Sequence, residues 1–163
     1  MNVVVETNVA IAANGRNTHA ELSCQFACVE FLEKLASSKS RDTVLLDNRD
    51  LLFTEYKRHL NHRGQPGVGD AFFKYLHDNA YSGSRISLIS ITPNDIECQG
   101  FDELPINQID KSDRKFLAVA LVGSGEIFNA LDNDWHEQKQ FVNALGVVVN
   151  QLCPEHGCLV NHP

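Results

Sequence analysis

A chain of 163 residues with 43% hydrophobic and 21% charged residues has the size and composition of one globular domain with a sizeable core. Its formal charge of -7 argues against broad electrostatic adhesion to nucleic acid, although clustered metal-binding acids would themselves make the balance negative. No stretch approaches the roughly 20 apolar residues of a membrane span. The apolar start, interrupted by Glu6, Asn8 and Asn14, does not read as a secretory leader, and five cysteines, an odd number, point to reduced thiols in a cytoplasmic setting.

In chain order, Val3-Val4-Val5 is a β-branched run suited to a strand buried on both faces, and it ends at Glu6. Residues 11–17 are small and polar, with Gly15 and Asn17 as turn formers. Thr18 is an N-cap for a helix to about Ser37, with Leu22, Phe26, Val29 and Leu32 on one face. A short buried strand follows at Thr43 to Leu46. Asp47 or Asn48 then caps a helix carrying Leu52, Glu55, Tyr56 and His59 on one stripe. Gly64 to Gly67 breaks it, and a further helix is expected from Asp70 to about His77. Residues 81–84 form a turn, and Ile86 to Ile91 a strand.

Pro93 to Gln108 reads as a short helix plus loop. Asp110 and Ser112 offer caps for a helix burying Phe116, Leu117, Ala120 and Leu121. A strand over Glu126 to Leu131, a helix from about Asp134 to Ala144 and a last strand at Val147 to Val149 complete the pattern. Short apolar strands alternating with helices predict a three-layer α/β/α sandwich around a mostly parallel sheet. The expected division is one domain over residues 1–150 and a C-terminal tail over 151–163.

Carboxylates fall where such a fold gathers them. Glu6 ends the first strand, Glu55 lies on a core-facing stripe, Asp113 opens a helix with Asp110 a turn earlier, and Asp132 and Asp134 follow a strand. Burying an unpaired carboxylate costs several kcal/mol or more, so acids on core-facing positions call for a cation. Oxygen donors without His or Cys favour Mg²⁺ or Mn²⁺ over zinc. That chemistry suits phosphodiester hydrolysis. Asp110 also reads as a plain cap or turn residue, and Asp134, beside Trp135, as the start of the next helix.

The segments Val-Val-Val-Glu6-Thr-Asn-Val, Glu55-Tyr56, Asp113-Arg-Lys-Phe-Leu-Ala-Val-Ala and Leu131-Asp-Asn-Asp-Trp, in that order, resemble a PIN domain. The resemblance spans Val3 to about Val149. It implies a Mg²⁺- or Mn²⁺-dependent ribonuclease acting on single-stranded RNA, as in the toxins of toxin–antitoxin pairs. An antitoxin-like protein partner and a homodimer belong to the same expectation. Carried over to this chain, the catalytic acids are Glu6, Glu55, Asp113 and Asp132. Glu6, Asp113, Asp132 and Asp134 hold metal, and Thr7 and Asn8 support the site. Arg114 and Lys115, with Arg58 to Arg63 the main local basic content, are read as contacts for RNA phosphates. The departure is Glu6, where the family carries Asp. One extra methylene moves a carboxylate by about 1 to 1.5 Å, against catalytic tolerances nearer 0.5 Å.

Two further readings stand beside this one. A PIN-like module with weak catalysis would bind nucleic acid or protein, and a phosphoryl-transfer protein would want its D-x-D turn after the first strand, not at Asp132-Asn-Asp134. The tail from Cys153 to His162 has a zinc-like composition without the usual paired spacing. Cys24 and Cys28, one helical turn apart, read as small core residues. The basic run Arg58 to Arg63 reads as a solvated helix end.

Overall fold

The computed structural model describes residues 1–82 and 85–153. It is a three-layer α/β/α sandwich whose five strands run in the order β3-β2-β1-β4-β5, every neighbouring pair parallel. The strands are β1 (Asn2–Val5), β2 (Thr43–Asp47), β3 (Ile86–Ile89), β4 (Glu126–Asn129) and β5 (Val149–Gln151). Among them run α1 (Thr7–Asn14), α2 (Leu22–Ala36), α3 (Leu51–His59), α4 (Val68–Asn79), α5 (Arg114–Val122), α6 (Asp134–Glu137) and α7 (Lys139–Ala144). No described helix is long and apolar enough to cross a membrane.

Strand β1 is central because Val3, Val4 and Val5 have no exposed surface and pair with β2 on one side and β4 on the other. From β1 the chain winds outward through β2 to β3, then crosses back to β4 and continues outward to β5. Helices α1, α2 and α4 pack against one another and α5 packs on β1, β2 and β4; the right-handed rule for parallel crossovers sets the helices that precede β3 and those that follow it on opposite faces. The reversal of direction makes β1 and β4 the topological switch point, and α/β sheets bind ligands in the crevice beyond the carboxyl ends of such strands.

Several elements depart from the sequence-based expectations. Residues 7–14 form α1, where only a small polar stretch and its turn residues were expected; Gly15 closes the helix in the left-handed region at φ 67°. Helix α2 starts at Leu22 rather than after Thr18, and it is rotated from the expected face. Leu22 and Phe26 are 68% and 67% exposed, while Cys24, Cys28, Leu32 and Leu35 are buried. Residues 93–108 contain no helix, only turns and an isolated bridge between Pro93 and Phe101. The single helix expected after Asp134 is two short ones, and the last strand lies two residues later than expected.

The C-terminal end of the described chain is tied into the core. Cys153 is fully buried and disulfide-bonded to Cys24, which corrects the expectation of five reduced thiols. The rest of the zinc-like tail, together with Gly83 and Ser84 of the expected turn, lies outside the described residues.

Two buried acids serve the frame. Asp47 accepts hydrogen bonds from the backbone N–H groups of Arg49, Leu51 and Leu52 at 2.8–3.0 Å, fixing the entry to α3. Asp70 accepts from Asn14 Nδ2, Asn61 N and Gly67 N and pairs with Arg16, joining α1 to α4 and the loop before it. Helices α1 and α4 touch there: a Cβ on Gly69 would stand 2.0 Å from the Ala10 carbonyl oxygen.

Candidate metal centre

Strand β1 delivers Glu6 to the switch point. Its N–H donates to Phe128 O at 3.0 Å, continuing the β1–β4 ladder one residue beyond the strand, and its Oε1 accepts from Thr7 N at 3.2 Å as the cap of α1. The other carboxylate oxygen, Oε2, is buried with no hydrogen-bond partner. Burial, followed by the charges of Asp113 and Asp132, holds this carboxyl well above the ordinary carboxylate range.

Asp113 arrives from the other face. Helix α5 returns the chain from the outer strand β3 to β4, so its first turn lies at the carboxyl edge of the sheet. Asp113 is the residue immediately before that helix, and it is buried. Burial raises its carboxyl to about 7, with the nearby charges of Asp132 and Asp110 and a hydrogen bond shared with Asp132 acting in the same direction. Asp110 itself makes a compact turn, accepting from Ser112 N at 2.9 Å and Ser112 Oγ at 2.6 Å, which hold its carboxyl below the usual value.

Asp132 and Asp134 stand on the turn after β4. Asp132 Oδ1 accepts from Asp134 N at 2.9 Å, so the two carboxylates are set by one local loop. Asp113, Asp132 and Asp134 each present an oxygen within 4.8 Å of the other two. Such crowding of like charges costs free energy in the absence of a cation. These three carboxylates fit a hard divalent ion, and the donor set, all oxygen, suits Mg²⁺ or Mn²⁺. Glu6, expected among the metal ligands, is not one of the three, although its buried carboxyl, unpartnered at Oε2, feels the charges of Asp113 and Asp132.

The neighbouring polar residues divide into supports and cations. Asn8 Oδ1 accepts from Ala130 N at 2.9 Å and Asn8 Nδ2 donates to Asn129 Oδ1 at 2.8 Å; Asn129 Nδ2 in turn donates to Asp132 O at 2.9 Å. Asn8 therefore steadies the turn that carries Asp132. Thr7 is buried, and its Oγ1 has no hydrogen-bond partner. Arg114 is committed to the preceding loop, with Nε donating to Asn107 Oδ1 and Ile109 O.

Glu55 lies outside the three-aspartate cluster. It pairs with Arg58 at 3.3 Å, His59 at 3.8 Å and Lys115 at 3.6 Å. Lys115 links the two regions: it donates to Ser112 O, lies 5.2 Å above the Phe116 ring centroid, and its charge lowers the carboxyl of Glu6. A cleft of about 550 Å³ elsewhere on the molecule is lined by Phe53, Lys57, His62, Phe73 and Tyr81, among others, with His62 and His77 rings 5.3 Å apart. Sequence reasoning missed Asn129, whose only signal was an amide following the apolar pair Ile127-Phe128 at the end of β4.

The fold and the acidic cluster define a doubly wound α/β protein with a candidate divalent-cation centre at its switch point. Neither a protein-family model, nor a curated protein, nor a solved structure matches this chain.

Proposed function

We propose that this protein is a Mg²⁺- or Mn²⁺-dependent endonuclease of single-stranded RNA, of the kind its resemblance to PIN domains implies. The observation that carries the reading is the convergence of Asp113, Asp132 and Asp134, whose oxygens lie within 4.8 Å of one another, at the switch point of the sheet. Asp113, Asp132 and Asp134 would hold the ion, and Glu6, at the end of β1, feels the charges of Asp113 and Asp132. When bound, such an ion neutralises phosphate oxygens and makes water more acidic.

The chain's own groups supply the rest. Burial and the charges of Asp113 and Asp132 hold the Glu6 carboxyl well above the ordinary carboxylate range, and its partnerless Oε2 is left to take up a hydrogen bond from water or a ligand at the site. Lys115 offers a cation to a scissile phosphate, held in reach by Glu55 and the Ser112 carbonyl. The cleft lined by Phe53, Phe73, Tyr81, Lys57 and Asp50 sets aromatic rings beside one lysine, a pairing that suits a base and its phosphate, with Asp50 hydrogen-bonded to Tyr81 at its wall. The net charge of -7 favours a substrate met through local contacts and a bound cation over one drawn in by a broad field.

The test is cleavage of single-stranded RNA and of DNA with Mg²⁺ or Mn²⁺, against an Asp132→Ala control. Metal-dependent cutting that the control lacks supports the nuclease. Binding without cutting supports the second reading, a nucleic-acid- or protein-binding module, which the position of Glu6 favours because one of its oxygens is committed to capping α1. An antitoxin-like partner and a homodimer remain part of the proposal through the resemblance alone.

A further inference from the structure

Three sulfurs meet in the core. Cys24 and Cys28 stand one turn apart on the buried face of α2, and Cys153 follows β5 with its Cα 4.9 Å from that of Cys24. The Sγ of Cys28 is 3.7 Å from the Sγ of Cys153, the three sulfurs lie within 4.8 Å of one another, and none of the residues is more than 1% exposed. A disulfide needs two of them. The third is placed as a ligand is placed: with bonds of about 2.3 Å to a tetrahedral cation, thiolate sulfurs sit about 3.8 Å apart. Cys-x₃-Cys on one helix with a distant third cysteine also falls within the ligand spacing that thiolate sites use.

We propose that Cys24, Cys28 and Cys153 form a second metal site, specific for a thiophilic cation such as Zn²⁺ or Cu⁺, which opens when the Cys24–Cys153 disulfide is reduced. The opening step takes two electrons from an external dithiol. That dithiol becomes a disulfide, the Cys24–Cys153 bond breaks, and each released sulfur leaves with one of the dithiol's protons. Capture of the cation then displaces thiol protons, so loading strengthens as pH rises. Soft thiolates separate this site from the all-oxygen centre at the switch point, which selects hard ions. The cation, like the disulfide it replaces, would fasten the end of β5 to α2.

The test uses the full chain with Cys98→Ser and Cys158→Ser, so that only the three core sulfurs can respond. After reduction with a phosphine and anaerobic desalting, one portion is titrated with Cd²⁺, as a spectroscopic stand-in for Zn²⁺, and another with Cu⁺. The expected result in at least one arm is a sulfur-to-metal charge-transfer band that saturates at one ion per chain, with all three thiols protected from alkylation. The arm that saturates identifies the cation. The oxidised protein gives no band, and Cys28→Ala weakens binding at least tenfold. Absence of the band in both arms, or equal binding by Cys28→Ala, overturns the site. Should that variant fail to fold, alkylation of the parent with and without cation decides: three thiols equally reactive in both conditions overturn the proposal.

Discussion

Asn8 and Asn129 are joined by a 2.8 Å hydrogen bond between side chains 121 residues apart in sequence, and the pair spans the switch point from the start of α1 to the end of β4. Through Asn129 Nδ2 and Asn8 Oδ1 the pair also holds the Asp132 carbonyl and the Ala130 N–H. Truncating either amide leaves partners unsatisfied in a largely buried place, at a cost of roughly 1–3 kcal/mol. Asn8→Ala and Asn129→Ala should each lower stability by about that much in urea unfolding. The double variant should lose clearly less than the sum, because the residues share one network. Strict additivity would show that the bond does not couple them.

A second expectation concerns pH in the metal-free protein. The Asp113 carboxyl lies at about 7 in the folded chain against 3.8 when unperturbed, so between those values the folded state binds more protons than the unfolded state. Stability therefore falls as pH rises through that window, by an amount on the order of a few kcal/mol. Glu6, also raised, acts in the same direction. Asp78 and Asp110 are lowered, so the stability they contribute is complete above their unperturbed value and does not offset the decline. Urea titrations in chelator across this range should show the decrease, and saturating Mn²⁺ should reverse it at the alkaline end. A chelated protein that gains stability over the same range contradicts the crowded-acid geometry.

The two states of the cluster also predict a trade between stability and binding. Asp132→Asn keeps an Oδ1 for the Asp134 N–H but removes a charge that raises both Glu6 and Asp113. In chelator at alkaline pH it should be more stable than the parent, while Mn²⁺ affinity measured by calorimetry falls at least tenfold. Loss of stability with unchanged Mn²⁺ affinity would place the ion elsewhere.

What the sequence disclosed and what it hid have separate physical causes. The alternation of strands and helices was visible because Val3 to Val5 and Val44 to Leu46 are unbroken apolar runs that only a doubly covered sheet buries. The acids at strand ends were visible for the same reason: a carboxylate interrupting such a run marks its edge. Helix α1 was hidden because Thr7, Asn8 and Asn14 resemble turn residues, whereas their side chains face the core, the β4 end and Asp70. The face of α2 was misread because Leu22 and Phe26 outweigh Cys24 and Cys28 in any apolar stripe, and only tertiary packing buries the smaller pair. Glu55 was read on a core-facing stripe, of which only Leu52 and Tyr56 are buried, and its partners, Arg58 and His59 on its own helix and Lys115 from α5, were not anticipated.

Lys115 yields a prediction of opposite signs for two measurements. Its ammonium group competes with a metal ion for the negative field of Glu6 and Glu55, and it is also the cation available to a phosphate. Lys115→Met retains an apolar stem over Phe116 while removing the charge. Mn²⁺ affinity should rise while RNA cleavage falls at least tenfold. Parallel loss of both would assign Lys115 to holding the fold.

Glu6 is the position at which the nuclease reading is most exposed. Its longer side chain spends one oxygen on the Thr7 N–H and leaves the other buried without a partner. An aspartate at this position retracts the carboxylate by about 1 to 1.5 Å, more than catalytic geometry tolerates, so the two residues are not equivalent here. Aspartate is also among the preferred caps for the first turn of a helix, which protects α1 against the change. Glu6→Asp should therefore fold normally and increase Mg²⁺-dependent cleavage of single-stranded RNA, by severalfold or more in single-turnover assays, with the gain removed by Asp132→Ala. Equal or lower turnover across several RNA substrates means that the glutamate is not an attenuated form of the aspartate, and that the site has been fitted to a different ligand distance.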